Sequence, residues 1–141
     1  MTGFSPQNTY HQNRIKTASQ SELIVMLYDG AIRNLETAVG ELNTEKPKLD
    51  VVNNAFNKAS NIITELSASL DFTQGGEVAT HLFNLYCFFN SEIIAANVGK
   101  KIGSIPNIIE MLEDLRRAWK VIASETVSRP GDRYEGFSVN G

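Results

Sequence analysis

Apolar residues recur along four segments of the chain with the spacing of α-helices. The first segment runs from about Gln20 to Leu42, and its apolar positions return every three or four residues, which is typical of an amphipathic helix. The second runs from about Leu49 to Leu70 and the third from about Glu77 to Val98. The fourth follows Ser104 and ends near residue 124. No segment has the alternation of period two that predicts a strand.

Short polar connections separate these segments. Residues 43–48 and residues 71–76 contain the Pro, Gly and polar residues that favour turns. Helices of about 20 residues joined by such connections leave sequential neighbours antiparallel. The sequence therefore predicts an all-α, antiparallel up-down-up-down four-helix bundle over residues 19–124. An extended N-terminal arm, residues 1–18, precedes it, and a flexible C-terminal tail, residues 125–141, follows it.

Local signals refine the predicted helix ends and faces. Ser19 and Glu22 form a capping box at the start of the first helix. Gly30 lies in the middle of that helix, where it costs about 1 kcal/mol relative to Ala, so we expect a close helix neighbour or ligand there. Gly99 is the expected C′ residue of the third helix, and Ser104 the N-cap of the fourth. Steps of three and four in the fourth helix predict an antiparallel seam, formed by Ile105, Ile108, Leu112, Leu115, Trp119 and Ile122.

Two helices carry more apolar residues than one buried stripe needs. The first helix is apolar without a break from Leu23 to Tyr28, and the third is rich in aromatic residues. An amphipathic helix normally buries a single stripe, so some of these side chains are expected to remain outside the core. The core is the more common place for any one of them, but the combined excess predicts an exposed interaction surface. The candidates are Val25, Met26, Phe88 and Ile94.

Composition excludes several classes of protein. With 141 residues, 42% of them hydrophobic, the chain fits one compact domain. A net charge of −3 argues against a binder of nucleic acid or of anionic membranes. The sequence has no run of about 18 apolar residues and no signal-peptide h-region, so we expect a cytoplasmic protein that does not insert into membranes. A single cysteine, Cys87, excludes an internal disulfide.

Catalytic and metal-binding patterns do not emerge from the sequence. Glu77 and His81 are four residues apart, whereas di-iron bundles use two Glu-x-x-His pairs. His81 has no adjacent Lys or Arg of the kind that supports a phosphotransfer histidine, and His11 lies in the arm. Cys87 has only aromatic neighbours, which are typical of an inert structural thiol. We therefore expect no catalytic residue, no metal, no cofactor and no enzyme activity.

The order of several short motifs resembles one known family, that of the flagellar secretion chaperone FliS. The resemblance extends over most of residues 10–122. It rests on Tyr10, TAS at 17–19, ELIVMLYDGAI at 22–32, the spaced set Lys58, Ala59, Ile62, Ile63, Glu65, Leu66, Ser69, Leu70 and Asp71, GGEVA at 75–79, LFNLY at 82–86, AAN at 95–97 and LEDLRRAWKVI at 112–122. Family members often have an acidic residue at the position of Cys87 and a basic one near Ser91 or Glu92, so polar contacts along that edge are expected to differ here.

The resemblance implies a cytoplasmic chaperone of bacterial flagellum biogenesis. Such a protein binds the disordered C-terminal segment of flagellin in an apolar groove and prevents its premature polymerisation. It then delivers flagellin to the export gate of the flagellar type III apparatus. Without flagellin, the N-terminal arm can lie over part of the apolar surface, with Tyr10 and Ile15 in the place of the client. The expected partner-binding residues are Tyr10, Ile15, Val25, Met26, Tyr28, Phe88 and Ile94.

Two alternatives remain open at the level of sequence. One is a structural helical bundle without a flagellin client, whose extra apolar surface forms a homodimer. The other, more remote, is an enzyme or metal-binding bundle. A flagellin chaperone forms a 1:1 complex with the flagellin segment, a homodimer has a mass that depends on concentration, and an enzyme of this type copurifies with a metal or cofactor.

Overall fold

A computed structural model gives the structure of residues 20–128, with side chains described for residues 20–125. Four α-helices follow one another in it: α1 (Gln20–Leu42), α2 (Leu49–Ala68), α3 (Phe72–Gly99) and α4 (Ile105–Ser128). They form the all-α four-helix bundle that the sequence predicts, and residues 20–128 contain no strand. The predicted arm, the Ser19 cap and the tail beyond Ser128 lie outside the described residues. Helix α4 continues four residues past its predicted end at residue 124.

The described residues fall into two compact units, which we treat separately. The larger unit is Leu27–Leu115, and all four helices contribute to its core. Its largest fully buried side chains include Tyr28, Leu35, Phe56, Ile63, Leu66, Tyr86, Phe89, Ile93, Ile105, Ile108 and Leu112. The described residues of the smaller unit are 20–26 and 116–128. Ile24, Val25 and Ala123 are its buried apolar residues among those whose side chains are described.

The predicted seam of α4 is correct at one end and wrong at the other. Ile105, Ile108 and Leu112 are buried, but Ile122 is exposed and Ala123 is buried in its place. A strict alternation of three and four has a period of 3.5, whereas a straight α-helix has 3.6 residues per turn. Between Ile105 and Ile122 this mismatch amounts to about 50°, so that on a straight helix Ile122 lies about 100° from Ile105 whereas Ala123 lies on the same side as Ile105. The neighbouring residue therefore takes the inward position.

Hydrogen bonds between polar side chains show that α2 and α3 run antiparallel. Ser60 Oγ lies 3.0 Å from Asn90 Oδ1, and Asn90 Nδ2 donates to Thr64 Oγ1 at 3.2 Å. Nearer the other end, Asn97 Nδ2 donates to Asn53 Oδ1 at 3.0 Å. Later residues of α2 thus pair with the earlier of the two asparagines of α3, and earlier residues of α2 with the later one. This is the direction that the short connection between the two helices requires.

The start of α3 differs from the prediction because an aspartate caps an additional turn. Asp71 Oδ1 accepts hydrogen bonds from the backbone N–H groups of Thr73 and Gln74, each at 3.0 Å. This N-cap starts a helical turn at Phe72, five residues before the predicted start. Gly76 then interrupts the helix with φ 54° and ψ −125°, a conformation that glycine adopts without the penalty of a Cβ atom. The predicted connection is therefore a capped turn followed by a kink.

The end of α3 is also built differently. Lys100, and not Gly99, takes the left-handed conformation, with φ 53°, which costs a residue with a Cβ atom about 1–2 kcal/mol. Its ammonium group donates to the carbonyl oxygen of Asn97 at 2.7 Å and to Asn97 Oδ1 at 2.8 Å. These bonds satisfy groups at the helix end and offset that cost.

Two other predicted helix ends are also modified by side-chain hydroxyls. Helix α2 ends at Ala68, two residues early, and Ser69 Oγ donates to the carbonyl oxygen of Leu66 at 2.7 Å. Ser104 Oγ lies 2.5 Å from Glu92 Oε1 and donates to it. The Ser104 hydroxyl therefore ties the start of α4 to α3 instead of capping its own helix. Pro106 lies in the first turn of α4, as predicted.

Gly30 marks a close approach of α1 to α2. A Cβ atom at Gly30 would lie 3.0 Å from Cδ1 of Ile62, which is shorter than ordinary van der Waals contact. Gly30 itself is buried. Close packing against a neighbouring helix, rather than a ligand, therefore explains why glycine is placed in the middle of α1 despite its low helix propensity.

This contact predicts non-additive stability changes at Gly30 and Ile62. Gly30→Ala alone should change the free energy of unfolding little, because a helix-propensity gain of about 1 kcal/mol is offset by crowding against Ile62. Ile62→Val removes Cδ1, so Gly30→Ala in that background should stabilise the protein by about 1 kcal/mol. Urea unfolding of the two single variants and the double variant measures the coupling. Strict additivity would show that the Cδ1 contact does not restrict position 30.

Two buried tyrosines connect α1 and α3 in the core. The hydroxyl oxygens of Tyr28 and Tyr86 lie 2.5 Å apart and share a hydrogen bond, and the ring centroids are 6.5 Å apart. Burial raises the pKa of Tyr86 above its usual value, while the hydrogen bond from Tyr28 opposes that shift. The Tyr86 hydroxyl therefore remains protonated at neutral pH, and its hydrogen bond with Tyr28 satisfies it within the core.

The tyrosine pair should show strong energetic coupling. Tyr28→Phe leaves the Tyr86 hydroxyl buried without its partner, so we expect a loss of about 1–3 kcal/mol in the free energy of unfolding. The double variant Tyr28→Phe with Tyr86→Phe should lose less than the sum of the two single variants, since no Tyr86 hydroxyl then remains to be satisfied. Denaturant unfolding gives all three values. If the loss in the double variant equalled the sum of the losses in the two single variants, the two sites would be independent and the pairing would be contradicted.

Candidate partner-binding surface on α3

Helix α3 has few charges and exposes apolar side chains on more than one side. Between Phe72 and Gly99 the acidic residues are Glu77 and Glu92, and there is no Lys or Arg. A helix that is apolar around most of its circumference is normally covered on several sides. In this structure, the exposed large apolar residues of α3 after its kink are Val78, Phe83, Phe88, Ile94 and Val98.

Four exposed residues of α3 form one line along the helix. Successive residues turn by about 100°, so Phe83, Cys87, Ile94 and Val98 fall within a sector of about 60°. With a rise of 1.5 Å per residue, the line is about 22 Å long. Ile94 is 56% exposed and Phe83 40% exposed, and Cys87 is exposed as well. We call these four residues the α3 stripe.

A row of uncharged polar residues lies beside the α3 stripe and joins α3 to α2. Asn90 and Asn97 are turned by about 20–40° from Phe83 on the helix, on the side that faces α2. Asn90 pairs with Ser60 and Thr64, and Asn97 Nδ2 donates to Asn53 and Asn57 at 3.0 and 3.4 Å. We call these six residues the polar seam. It links the two helices without introducing a charge.

The capped first turn of α3 lengthens the apolar surface. Phe72 is half exposed, and its ring meets the ring of Phe83 edge-on, with centroids 5.9 Å apart and an interplanar angle of 70°. This geometry is favourable for an aromatic pair. Because the Asp71 cap and the Gly76 kink set the direction of the turn, they hold Phe72 against the first residue of the stripe.

Phe88 does not belong to the same surface as Ile94. The two residues are six positions apart, so their side chains point about 120° apart around the axis. Phe88 is 44% exposed, and its ring centroid lies 6.1 Å from that of the buried Phe89. The expectation that both are exposed is correct, but a single straight groove cannot include both. A partner that contacts both has to pass around α3.

The other predicted partner-binding residues differ in how far they are exposed. Met26 is 65% exposed, as expected. Val25 is buried, with 8% exposure, so the expectation that it is left outside the core is wrong. Tyr28 is fully buried, and its hydrogen bond to Tyr86 gives it a structural role in the core. Exposure therefore does not support a part in binding for Val25 or Tyr28. Tyr10 and Ile15 lie outside the described residues.

The residues that lengthen the exposed apolar surface of α3 are not among the predicted partner-binding residues. Phe83, Val98 and Phe72 are exposed but were not expected to bind a partner. Phe83 and Ile94 are eleven residues apart, or three full helical turns, so projection onto a helical wheel detects their common face. Phe72 could not be found in this way, because its position depends on the kink at Gly76.

The described residues offer little for catalysis or metal binding. They contain no group of three or more His, Cys, Asp or Glu side chains arranged to hold a metal ion. His81 and Cys87 are both exposed. None of the helices within residues 20–128 combines the length and apolarity needed to cross a membrane.

Comparisons with known proteins agree with this picture. The model of the family "Flagellar protein FliS" matches residues 3–126. The flagellar secretion chaperone FliS of Bacillus subtilis is 30% identical over 128 residues, which are 90% of this chain and 93% of that protein. FliS of Salmonella typhimurium is 34% identical over 113 residues, covering 79% and 82% of the two chains. FliS of Campylobacter jejuni is 30% identical over 125 residues, covering 86% and 94%.

The family match extends over nearly the whole chain, and the relatives align with it over most of their own length. The helices described above provide the bundle, and α3 provides exposed apolar surface. This chain therefore belongs to the FliS family of flagellar secretion chaperones.

Proposed function

We propose that this protein is a flagellar export chaperone whose client is the C-terminal segment of flagellin. In this proposal it acts in the cytoplasm, prevents premature polymerisation of flagellin and delivers it to the export gate of the type III apparatus. It works by binding its client, and it uses no catalysis, no metal and no cofactor. The family match carries the general role, and relatives with the same family name are flagellar secretion chaperones.

The exposed apolar residues support a disordered client. A segment that folds on binding loses conformational entropy, so it requires a large apolar surface in return. This chain exposes Met26 on α1 and Phe88 and Ile94 on α3. Because Phe88 and Ile94 lie on different sides of α3, a long and adaptable segment fits these positions better than a rigid globular partner does.

Each of the remaining predicted residues has a role in the proposed function. Tyr10 and Ile15 contact the client or occupy its place when it is absent. Val25 and Tyr28 are buried, so they support the bundle that presents the surface and contact the client only if it uncovers them. A homodimer that uses the same apolar residues is the competing interpretation, and the experiment below distinguishes it.

Charge placed on the exposed apolar residues should weaken flagellin binding without unfolding the bundle. We expect Met26→Asp and Phe88→Asp each to raise the Kd for a flagellin C-terminal peptide about 10-fold or more, because burying an unpaired carboxylate is costly. Isothermal titration calorimetry measures the Kd. Far-UV circular dichroism and thermal melting establish whether the variants retain the helical fold.

Asn54→Asp is the matched control for these variants. It adds the same charge at an exposed position of α2 and should leave the affinity within about two-fold of wild type. Lack of binding by wild type, together with a mass that rises with concentration, would support the homodimer instead. Loss of helical structure in Met26→Asp or Phe88→Asp would place those residues in the core and remove them from the proposed site.

A further inference from the structure

We infer that the capped turn, residues 71–75, is an autoinhibitory cover over the first residue of the α3 stripe. In the free protein it holds Phe72 on Phe83, and it pivots about Gly76 when the client reaches Phe83. This inference rests on the proposed function and adds to it a contact within the chain that competes with the client. The competing contact is the edge-to-face pair of Phe72 and Phe83, whose ring centroids are 5.9 Å apart.

The capped turn has an apolar side that meets α3 and a polar side that meets water. Its one large apolar side chain, Phe72, lies against Phe83, whereas Thr73 and Gln74 are polar and exposed. Asp71 closes the turn on itself, because its Oδ1 accepts from the N–H groups of Thr73 and Gln74. Its carbonyl oxygen accepts a further bond, at 2.7 Å, from the backbone N–H four residues later. Since these bonds all lie within the turn, it can move away from Phe83 as a unit.

Two glycines set the position of the turn, each for a different physical reason. A Cβ atom at Gly75 would lie 2.9 Å from the Cβ atom of Ala79, so the close approach of the turn to the helix leaves no space for a side chain. A Cβ atom at Gly76 would meet no other atom within 4 Å, but φ 54° with ψ −125° is a conformation that glycine adopts and other residues rarely do. Gly76 is therefore the point at which the backbone can change direction.

The turn is held weakly enough to open. Residues 71–78 are all exposed, and Ala79 is the first buried residue of α3. The turn therefore has no side chain in the core, and the aromatic pair is the contact that favours its closed position. An edge-to-face pair shifts an equilibrium by about 2- to 12-fold. A client that makes several apolar contacts can overcome a preference of this size.

A client that contacts Ile94 and continues along α3 meets the cover. Phe83 and Ile94 lie on one line of the helix, three turns and about 16 Å apart, and both are exposed. In the closed position, the Phe72 ring occupies an edge of the contact surface of Phe83 that the client would otherwise use. The cover thus shields one end of the stripe in the free protein and lowers the affinity for the client by about the factor that the aromatic pair contributes.

Removal of the cover should strengthen client binding. We expect Phe72→Ala in the full chain to lower the Kd for a flagellin C-terminal peptide about 3-fold or more, as measured by isothermal titration calorimetry. Gly76→Ala should act in the same direction although it keeps both rings, because alanine disfavours the backbone conformation of the kink. Val78→Ala is the matched control, since it shortens an exposed apolar side chain just after the kink and should not lower the Kd.

A spin label on the turn reports whether it moves. The labelled variant carries Thr73→Cys together with Cys87→Ser, so that the label has one site of attachment. A saturating peptide should make this label more mobile in its electron paramagnetic resonance spectrum. The control label, on Asn54→Cys with the same Cys87→Ser change, lies at an exposed position of α2 and should keep its spectrum.

The outcomes separate this inference from the proposed function. A Kd that Phe72→Ala raises or leaves unchanged would overturn the cover, make Phe72 an anchor or a bystander, and leave the chaperone function intact. An unchanged spectrum at position 73 on a protein that binds the peptide would also overturn the cover, as would an equal decrease of the Kd in Val78→Ala. Lack of peptide binding by every variant and by wild type would overturn both. Far-UV circular dichroism of each variant excludes unfolding as the cause.

Discussion

Helix α3 buries its inward face in the core and leaves several large apolar side chains exposed on its other sides. Tyr86, Phe89 and Ile93 lie on that buried face. Outside that face, Phe83, Phe88, Ile94 and Val98 remain exposed to water. The remaining features of the larger unit follow from this constraint. The tyrosine pair fixes the inner side of α3 against α1, and the polar seam fixes one flank against α2.

The contacts of α3 with α1 and α2 explain how the bundle remains ordered although the outer side of α3 is exposed. Hydrogen bonds between uncharged amides and hydroxyls contribute to the pairing of α2 and α3, because Asn90 and Asn97 each bond to residues of α2. Close packing at Gly30 brings α1 against Ile62 of α2. The fold therefore does not depend on the exposed apolar residues for its own specificity. Those residues are available for a partner.

The sequence predicts the fold well and the binding surface only in part, and the difference has a physical basis. Helical periodicity averages over many residues, so the helices and most buried positions were correct. The ends of α3 depend on single side chains, the Asp71 cap and the Lys100 hydrogen bonds, and periodicity does not detect these. Exposure is harder still, because it depends on which neighbours are close. Val25 and Met26 are adjacent in sequence, yet one is buried and the other is 65% exposed.

A surface that is covered only part of the time has to satisfy two conditions at once. In the free state it must not disrupt the fold, and in the bound state it must not leave polar groups without partners. The polar seam meets the second condition because its asparagines are already hydrogen-bonded within the chain. The first is met because α3 is anchored through its inner face and one flank, independently of the stripe. In the proposed function, a client would exchange mainly apolar contact with water at this surface, because the hydrogen bonds of the asparagines are made within the chain.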